Sequence, residues 1–440
     1  MALFFECLMI NTYEQCVNYI YDIPKFHGKN TLEDTAGLYS LVCSDSFSPH
    51  IIHVAGTNGK GSTCAFMNQI LIEAGYRVGL FISPHLVSIN ERIRVNNRLI
   101  SDEDFILAFH KVLEAVDKIG DDHHPSFFEF LYLMAMYYFE QKDVDYIVLE
   151  TGLGGRLDAT NSVRNKDLTV ITKIGFDHME YLGNTLEEIA SEKGGIVRPN
   201  VPLVFFDNKD TTADVFRNIA KDNDSMCYSI ARDNIKILNQ TKENIDFSLL
   251  CDYYKYDSLR VSSSAAYQAI NASLAVMAIR VLNDPLISDE HIKDGLKFTF
   301  FEGRMEQLIP GIYVDGAHNI DGIEAFLNSV SLLPIEGKRH LLFSVVADKD
   351  YAPMVSAIFE SNLFESIHVA PINSKRALDI NHLKSIFSEH DCGNVYYYHD
   401  IRDALSSASC FKEDEDTLFV AGSLYLVGEV KSIIGETKNA

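Results

Sequence analysis

Residues 53–63 read HVAGTNGKGST. Three glycines, one lysine and a Ser–Thr pair directly follow the apolar run IIHVA (51–55), which reads as a short buried parallel strand. Such a turn suits a phosphate. Gly56, Gly59 and Gly61 let the backbone bend sharply and come close to an anion. A helix starting near Ser62 offers unpaired N–H groups and the positive end of its dipole. Lys60 adds a mobile charge, and Ser62 or Thr63 can reach a metal-bound phosphate. The spacing differs from the common phosphate-binding loop, which has four residues between its glycines and Ser or Thr right after lysine. A tight strand–helix turn with an exposed lysine is the structural alternative.

Three further stretches carry chemistry-bearing residues. LETGLGGRLDATN (149–161) puts Glu150 at a strand end before a glycine-rich loop, where open α/β sheets form their ligand crevice. A carboxylate facing a polyphosphate is a natural Mg²⁺ ligand, although an N-cap or a surface charge also fits. Arg156 and Asp158 stand in the same loop. GFDHMEYLG (175–183) places His178 in another loop at that edge, as a ligand or as a structural histidine. Lys193, in SEKGGIV, reads from chemistry alone as a helix C-terminal cation beside Gly194.

The elements that must position these residues alternate. Strands are expected at 51–55, 77–83, 145–150, 168–174 and 202–206, and helices at about 62–74, 102–118 and 127–141, which argues for a parallel sheet covered by helices. The apolar run Phe130–Phe139 is too short to span a membrane and reads as a buried helix. MCYSI, IKILN and FSLLC, within 226–261, are expected as antiparallel strands at the edge of the first domain. A second alternating series begins near 311. The expected domains are 1–297, a P-loop-type, mostly parallel α/β ATPase, and 303–440, a smaller Rossmann-like α/β domain.

Composition sets bounds. The formal net charge of −24 over 440 residues disfavours nucleic acid and anionic membranes as partners. The eight cysteines show no C-x-x-C spacing, so they read as reduced thiols of a cytoplasmic protein rather than a zinc or redox motif. The N-terminus MALFFECLMI lacks the basic start of a signal peptide.

An ordered set of motifs resembles the folylpolyglutamate synthase/dihydrofolate synthase family of the Mur ligase superfamily. It comprises AGTNGKGST, SPHL (83–86), ERIRVN (91–96), FFEFL (127–131), ETGLGGRLDATN, DHMEYLGNTLEEIASEKGGI, YQAINA (267–272), GRMEQ (303–307), VDGAHN (314–319), DKD (348–350) and GSLYLVGEV (422–430). The resemblance implies that Thr57, Asn58, Gly59, Lys60, Gly61, Ser62 and Thr63 hold ATP phosphates, and that Ser83, Glu150 and His178 hold Mg²⁺. It makes Lys193 a carbamylated lysine that helps hold a second metal. Gln268 and Asn271 would lie near the adenine, and Arg304, Asp315 and His318 would complete the site from the C-terminal side. ATP would lie between two domains whose closure assembles the site. Lys60, Lys193, His178 and Arg304 would be the catalytic set. Three positions differ from the usual family pattern: Tyr267 replaces histidine, Gly194 alanine and Glu302 proline.

The implied reaction joins a carboxylate of dihydropteroate or a reduced folate to the amine of L-glutamate through an acyl phosphate, with ATP and Mg²⁺, in a cytoplasmic monomer. The loops 22–30 and 83–97 mix basic and apolar residues and are candidates for the pterin. A small-metabolite kinase and a nucleotide-gated binding protein would use the same glycine loop. A cell-wall Mur ligase would carry a UDP-binding domain before it, and a glycine loop starting at residue 56 leaves little room for one.

Overall fold

The computed structural model describes residues 10–23, 30–120, 123–163, 165–374, 376–389 and 394–439. Among these, the first large sheet has eight strands: β1 (His50–Ala55), β2 (Val78–Phe81), β3 (Ile93–Val95), β4 (Arg98–Leu99), β5 (Tyr146–Glu150), β6 (Leu168–Ile171), β7 (Leu203–Asp207) and β8 (Cys227–Ala231). Their order is β4-β3-β2-β5-β1-β6-β7-β8, with β3 alone reversed and so antiparallel to both β2 and β4. β1 lies between β5 and β6 in register, with Val54 opposite Glu150 and Ala55 opposite Ile171. The loops after β1, β2, β5 and β6 therefore leave the sheet at one edge, where a crevice forms in such folds.

Apolar helices cover both faces. Phe127–Gln141 buries Phe127, the run Phe130–Met136, Tyr138 and Phe139, as expected of a core helix. Lys60–Glu73 buries Phe66, Met67, Ile70 and Leu71. Among the described residues no helix is long and apolar enough to cross a membrane. Cys16, Cys43, Cys64, Cys227, Cys251 and Cys410 are free thiols.

Two expectations are corrected. The segment 226–261 does not form one antiparallel edge. MCYSI supplies β8, which pairs parallel with β7 through alternating contacts from Leu203–Cys227 to Asp207–Ala231. The rest forms a separate antiparallel sheet of β9 (Ile235–Gln240), β10 (Ile245–Leu250) and β11 (Lys255–Val261), ordered β11-β10-β9. The end of the expected loop 83–97 instead enters a hairpin of β3 and β4. Asn96 and Asn97 both have positive φ between the paired residues Val95 and Arg98, the geometry of a two-residue type I′ turn.

Contacts divide the chain into two compact units, 1–234 with 271–298 and 235–270 with 299–440. The second unit holds the three-stranded sheet and a six-stranded one: β12 (Arg304–Ile309), β13 (Ile312–Asp315), β14 (Arg339–Phe343), β15 (Ser366–Val369), β16 (Val395–Tyr397) and β17 (Thr417–Ala421), ordered β12-β13-β17-β14-β15-β16. Only β12 runs antiparallel, and helices separate the others, so this half is Rossmann-like.

Candidate active site

The glycine loop leaves β1 and is pinned from β6. The amides of Thr57 and Asn58 donate to Lys173 O at 3.0 and 3.2 Å, and Thr57 Oγ1 donates to Gly175 O at 3.1 Å. Gly59 then starts the helix Lys60–Glu73 with φ +88° and no side-chain cap. An uncapped helix start leaves first-turn N–H groups for a ligand. A Cβ on Gly56 would lie 1.8 Å from Thr172 Oγ1, and one on Gly59 2.3 Å from Asn271 Oδ1. Both positions need glycine on steric grounds and on backbone grounds, with φ +150° at Gly56 and +88° at Gly59. Gly59→Ala should cost ~1–3 kcal/mol of stability from strain and weaken ADP binding, read by thermal unfolding and calorimetry. Unchanged ADP affinity would show that the loop's shape does not matter to the nucleotide.

Two ammonium groups converge on one carbonyl of this loop. Lys60 Nζ lies 3.2 Å from Gly56 O and 3.4 Å from Thr57 O, and Lys193 Nζ lies 2.8 Å from the same Gly56 O. Lys193, at the end of the helix Leu186–Gly194, is only 4% exposed. Burial first, then repulsion from Lys60, bring its pKa down to about 7, against the pull of Asp177 and Asp158. It is therefore no ordinary helix-terminal cation.

Glu150, 2% exposed at the end of β5, stands beside this pair with Oε1 3.9 Å from Lys60 Nζ. Its Oε2 accepts from the Ser83 amide at 2.9 Å, and a Cβ on Gly61 would be 3.6 Å from it. Ser62 and Thr63 are buried in the first turn. The hydroxyls of Thr63 and Thr172 are buried without a hydrogen-bond partner among the described residues. Orphaned hydroxyls, a glycine cradle and a buried carboxylate fit a triphosphate with its cation. No three His, Cys, Asp or Glu side chains converge on a metal geometry among the described residues. The single buried carboxylate of Glu150 suits Mg²⁺, which takes one or two carboxylate oxygens and completes its shell with phosphates and water.

His178 starts the short helix Met179–Leu182 with φ +52°, and its Nε2 is 3.8 Å from Asp177 Oδ1. The sequence reading passed over Asp177, although it acts electrostatically on Lys193. Asp158 and Arg156 turn out to shape loops. Asp158 accepts from the amides of Gly152 (2.9 Å), Leu153 (2.8 Å) and Thr160 (3.1 Å), while Arg156 pairs with Glu192, next to Lys193, at 2.8 Å.

In the second unit, Arg304, Asp315 and His318 come together around the β12–β13 hairpin. Arg304 packs over Gly316, whose Cβ would meet Nη1 at 2.1 Å, and His318 Nδ1 is 2.8 Å from Gly316 O. Asp315 is held by Tyr267 Oη (2.5 Å) and by the amides of Met305 (3.0 Å) and Ala317 (2.8 Å). Burial raises its carboxyl above the usual range, with Arg304 and Tyr267 pulling the other way. Tyr267, one of the three departures noted in the sequence, thus donates to Asp315. Met305 holds φ +47°, a strained value for a non-glycine residue that stores energy beside Arg304. Gln268 and Asn271 are buried at the start of the helix Gln268–Leu282.

The chain matches two family models, the Mur ligase middle domain over residues 54–279 and the Mur ligase glutamate ligase domain over 303–424. It is 33% identical over 433 residues to the dihydrofolate synthase/folylpolyglutamate synthase of Bacillus subtilis, covering 96% of this chain and 99% of that one. This chain belongs to the dihydrofolate synthase/folylpolyglutamate synthase family. Its fold superposes on Escherichia coli FolC in complex with DHPP and ADP with a TM-score of 0.86 at 27% identity, covering 97% of this chain and 99% of that one. The bifunctional Yersinia pestis synthase complexed with AMPPNP and a Mn ion gives a TM-score of 0.84 at 27% identity, covering 97% and 98%. As a member of the family, this protein is an ATP-dependent ligase that uses a divalent cation. The kinase and the gated binding module are thereby set aside.

A group that the sequence reading did not assemble lies by the loop after β2. Tyr21 stacks on Phe127 (ring centroids 5.9 Å apart), and its hydroxyl is 3.1 Å from His85 Nε2. Arg92 lies 5.3 Å over the Phe127 ring and donates from Nε to His85 Nδ1 at 2.8 Å. SPHL, ERIRVN and FFEFL were each visible, but only folding brings them together. Of the other candidate pterin loop, residues 24–29 lie outside the described residues.

Proposed function

We propose that this family member joins L-glutamate both to dihydropteroate and to the γ-carboxylate of reduced folates. A carboxylate is a poor acyl donor because oxide would have to leave. The acceptor carboxylate attacks the γ-phosphorus of ATP, ADP departs, and an acyl phosphate remains. The glutamate nitrogen then attacks the acyl carbon, a proton leaves the nitrogen, and inorganic phosphate departs from the tetrahedral intermediate.

The observation that carries this reading is the convergence of Lys60 and Lys193 on Gly56 O beside buried Glu150. Two anions must meet in the first step, and positioning with charge neutralisation is most of what phosphoryl transfer needs. Lys60 and the first-turn amides hold the phosphates, with Thr57, Asn58, Ser62 and Thr63 around them. Glu150 and Ser83 supply oxygens for Mg²⁺, which neutralises phosphate charge when bound. His178 and a carbamate on Lys193 complete the ligand set. Asn271 and Gln268 take the adenine side, and Arg304, Asp315 and His318 form the nucleotide surface of the second unit. Tyr21, His85, Arg92 and Phe127 offer flat rings and one cation to an anionic aromatic acceptor.

The test is glutamate-dependent phosphate release with dihydropteroate and tetrahydrofolate measured separately. Turnover of each is expected, and no turnover of dihydropteroate would reduce the assignment to folylpolyglutamate synthesis. Tyr21→Ala should raise KM for the pterin acceptor about tenfold, ~1.4 kcal/mol, with KM for ATP unchanged. An equal rise in both would remove Tyr21 from the acceptor site.

A further inference from the structure

The opposite edge of the large sheet holds a cavity of about 410 Å³, where the chain enters β1 and β6. His50, Asn165, Lys166, Asp167 and Arg198 are among the residues lining it. Lys166 is 7% exposed. Its Nζ donates to Asn161 Oδ1 at 2.7 Å and to Ile196 O at 3.1 Å. Arg198 donates from Nη1 to Gly195 O (3.0 Å) and Val197 O (3.3 Å), and from Nη2 to Asn161 O (3.0 Å). Every one of these acceptors is neutral. Among the described residues neither side chain has a carboxylate hydrogen-bond partner; Arg198 Nε and one further Nη2 proton are left over, and protonation gives Lys166 a third donor to spare. Asp167 shares the cavity, but its oxygens are taken by His50 Nδ1 (2.8 Å) and the Ile51 amide (2.7 Å).

A cation, Arg198, with spare donors, beside a buried lysine amine that can take up a proton, and with no carboxylate bonded to either, forms a site for an anion, and arginine's fork matches phosphate oxygens. We propose that this cavity binds a phosphate group, free or as a small monoester, between Lys166 and Arg198. The volume leaves room for a short polar body attached to the phosphate. The site lies apart from the glycine loop, at the other end of β1. It nevertheless reaches the catalytic lysine. Gly195, Ile196 and Val197, whose carbonyls Lys166 and Arg198 hold, directly follow the helix Leu186–Gly194, which carries Lys193 in its last turn. An anion drawing on those donors competes with the contacts that anchor this segment.

Binding is coupled to a proton. Burial, then Arg198, lower the pKa of Lys166 to about 6, with Asp158 pulling upward, so the empty site holds a mostly neutral amine near neutrality. His53, kept neutral by burial and by Lys166, and the His50–Asp167 pair are the other titratable groups nearby. An arriving dianion favours the ammonium form, so affinity rises as pH falls toward about 6.

The experiment is calorimetry on the full-length protein saturated with ADP, which fills the glycine loop, using inorganic phosphate and glycerol 3-phosphate in separate titrations. Binding that tightens from about pH 8 to about pH 6 and weakens at least ~tenfold in Arg198→Met is expected. The tighter of the two ligands identifies the occupant. Arg198→Lys, which keeps the charge and loses the fork, should fall between wild type and Arg198→Met. ADP-bound crystals soaked in selenate should show an anomalous peak between Lys166 and Arg198. No heat with either ligand, no peak there, or binding indifferent to Arg198→Met, which means an adventitious ion only, would overturn the proposal.

Discussion

Lys60→Ala is expected to lower glutamate-dependent phosphate release by on the order of 10³-fold while leaving the fold intact. Removing one preorganised charge from a site where charge is transferred typically costs 10²–10³-fold, and cations at the γ-phosphoryl group cost more. The structural loss is small by comparison. Lys60 occupies the first position of its helix, where alanine is a good former, and its contacts to Gly56 O and Thr57 O are 3.2 and 3.4 Å long. Its side chain is 18% exposed and pairs with Glu150 only at 3.9 Å, so the melting temperature should move by no more than about 3 °C. A second readout separates roles. Removing Lys60 removes a like charge from Lys193, whose pKa should rise above about 7. A variant that loses stability and keeps activity would make Lys60 a structural residue of the turn.

The parallel core was legible because its strands are continuous apolar runs and its glycines stand where strand becomes helix. The ends of β1, β5 and β6 carry Gly56, Glu150 and the 172–178 loop, and an open parallel sheet places such ends together. What escaped depended on partners distant in sequence. MCYSI looks the same whether it pairs parallel or antiparallel; only β7 beside it decides. The Asn96–Asn97 hairpin was signalled by two residues that tolerate positive φ, but its strands are only three and two residues long. Asp158 stood in a suggestive motif, yet three amides within eight residues claim its oxygens. Lys166 carried no motif at all. Its interest comes from burial against neutral acceptors, one of them a carbonyl 30 residues away, which no local pattern encodes.

Lys193 carries the second large effect, because its surroundings suit a covalent change rather than a cation. Carbamate formation joins the amine nitrogen to the carbon of CO₂ and releases one proton. Only the neutral amine reacts. With a pKa of about 7, roughly nine-tenths of Lys193 is neutral at pH 8, against less than about one per cent of an ordinary lysine near 10.4. The new group would be an anion beside Lys60, turning the repulsion that lowers the pKa into attraction, and would offer oxygens to a metal. The sign of the pH dependence follows. Activation by CO₂ should rise through about pH 7 and level off above about pH 8, since the reactive form lies above the folded pKa. Stability of the unmodified protein should also rise with pH between about 7 and 10.5, because the unfolded chain holds this proton and the folded one does not. Lys193→Ala should lose on the order of 10³-fold in activity and recover part of it with formate or acetate. Carbon-13 bicarbonate should give wild type a carbamate resonance that the variant lacks. Rescue by a small alkylamine instead of a carboxylate would show that Lys193 works as a cation, and full activity in rigorously CO₂-free buffer would show that the amine works unmodified.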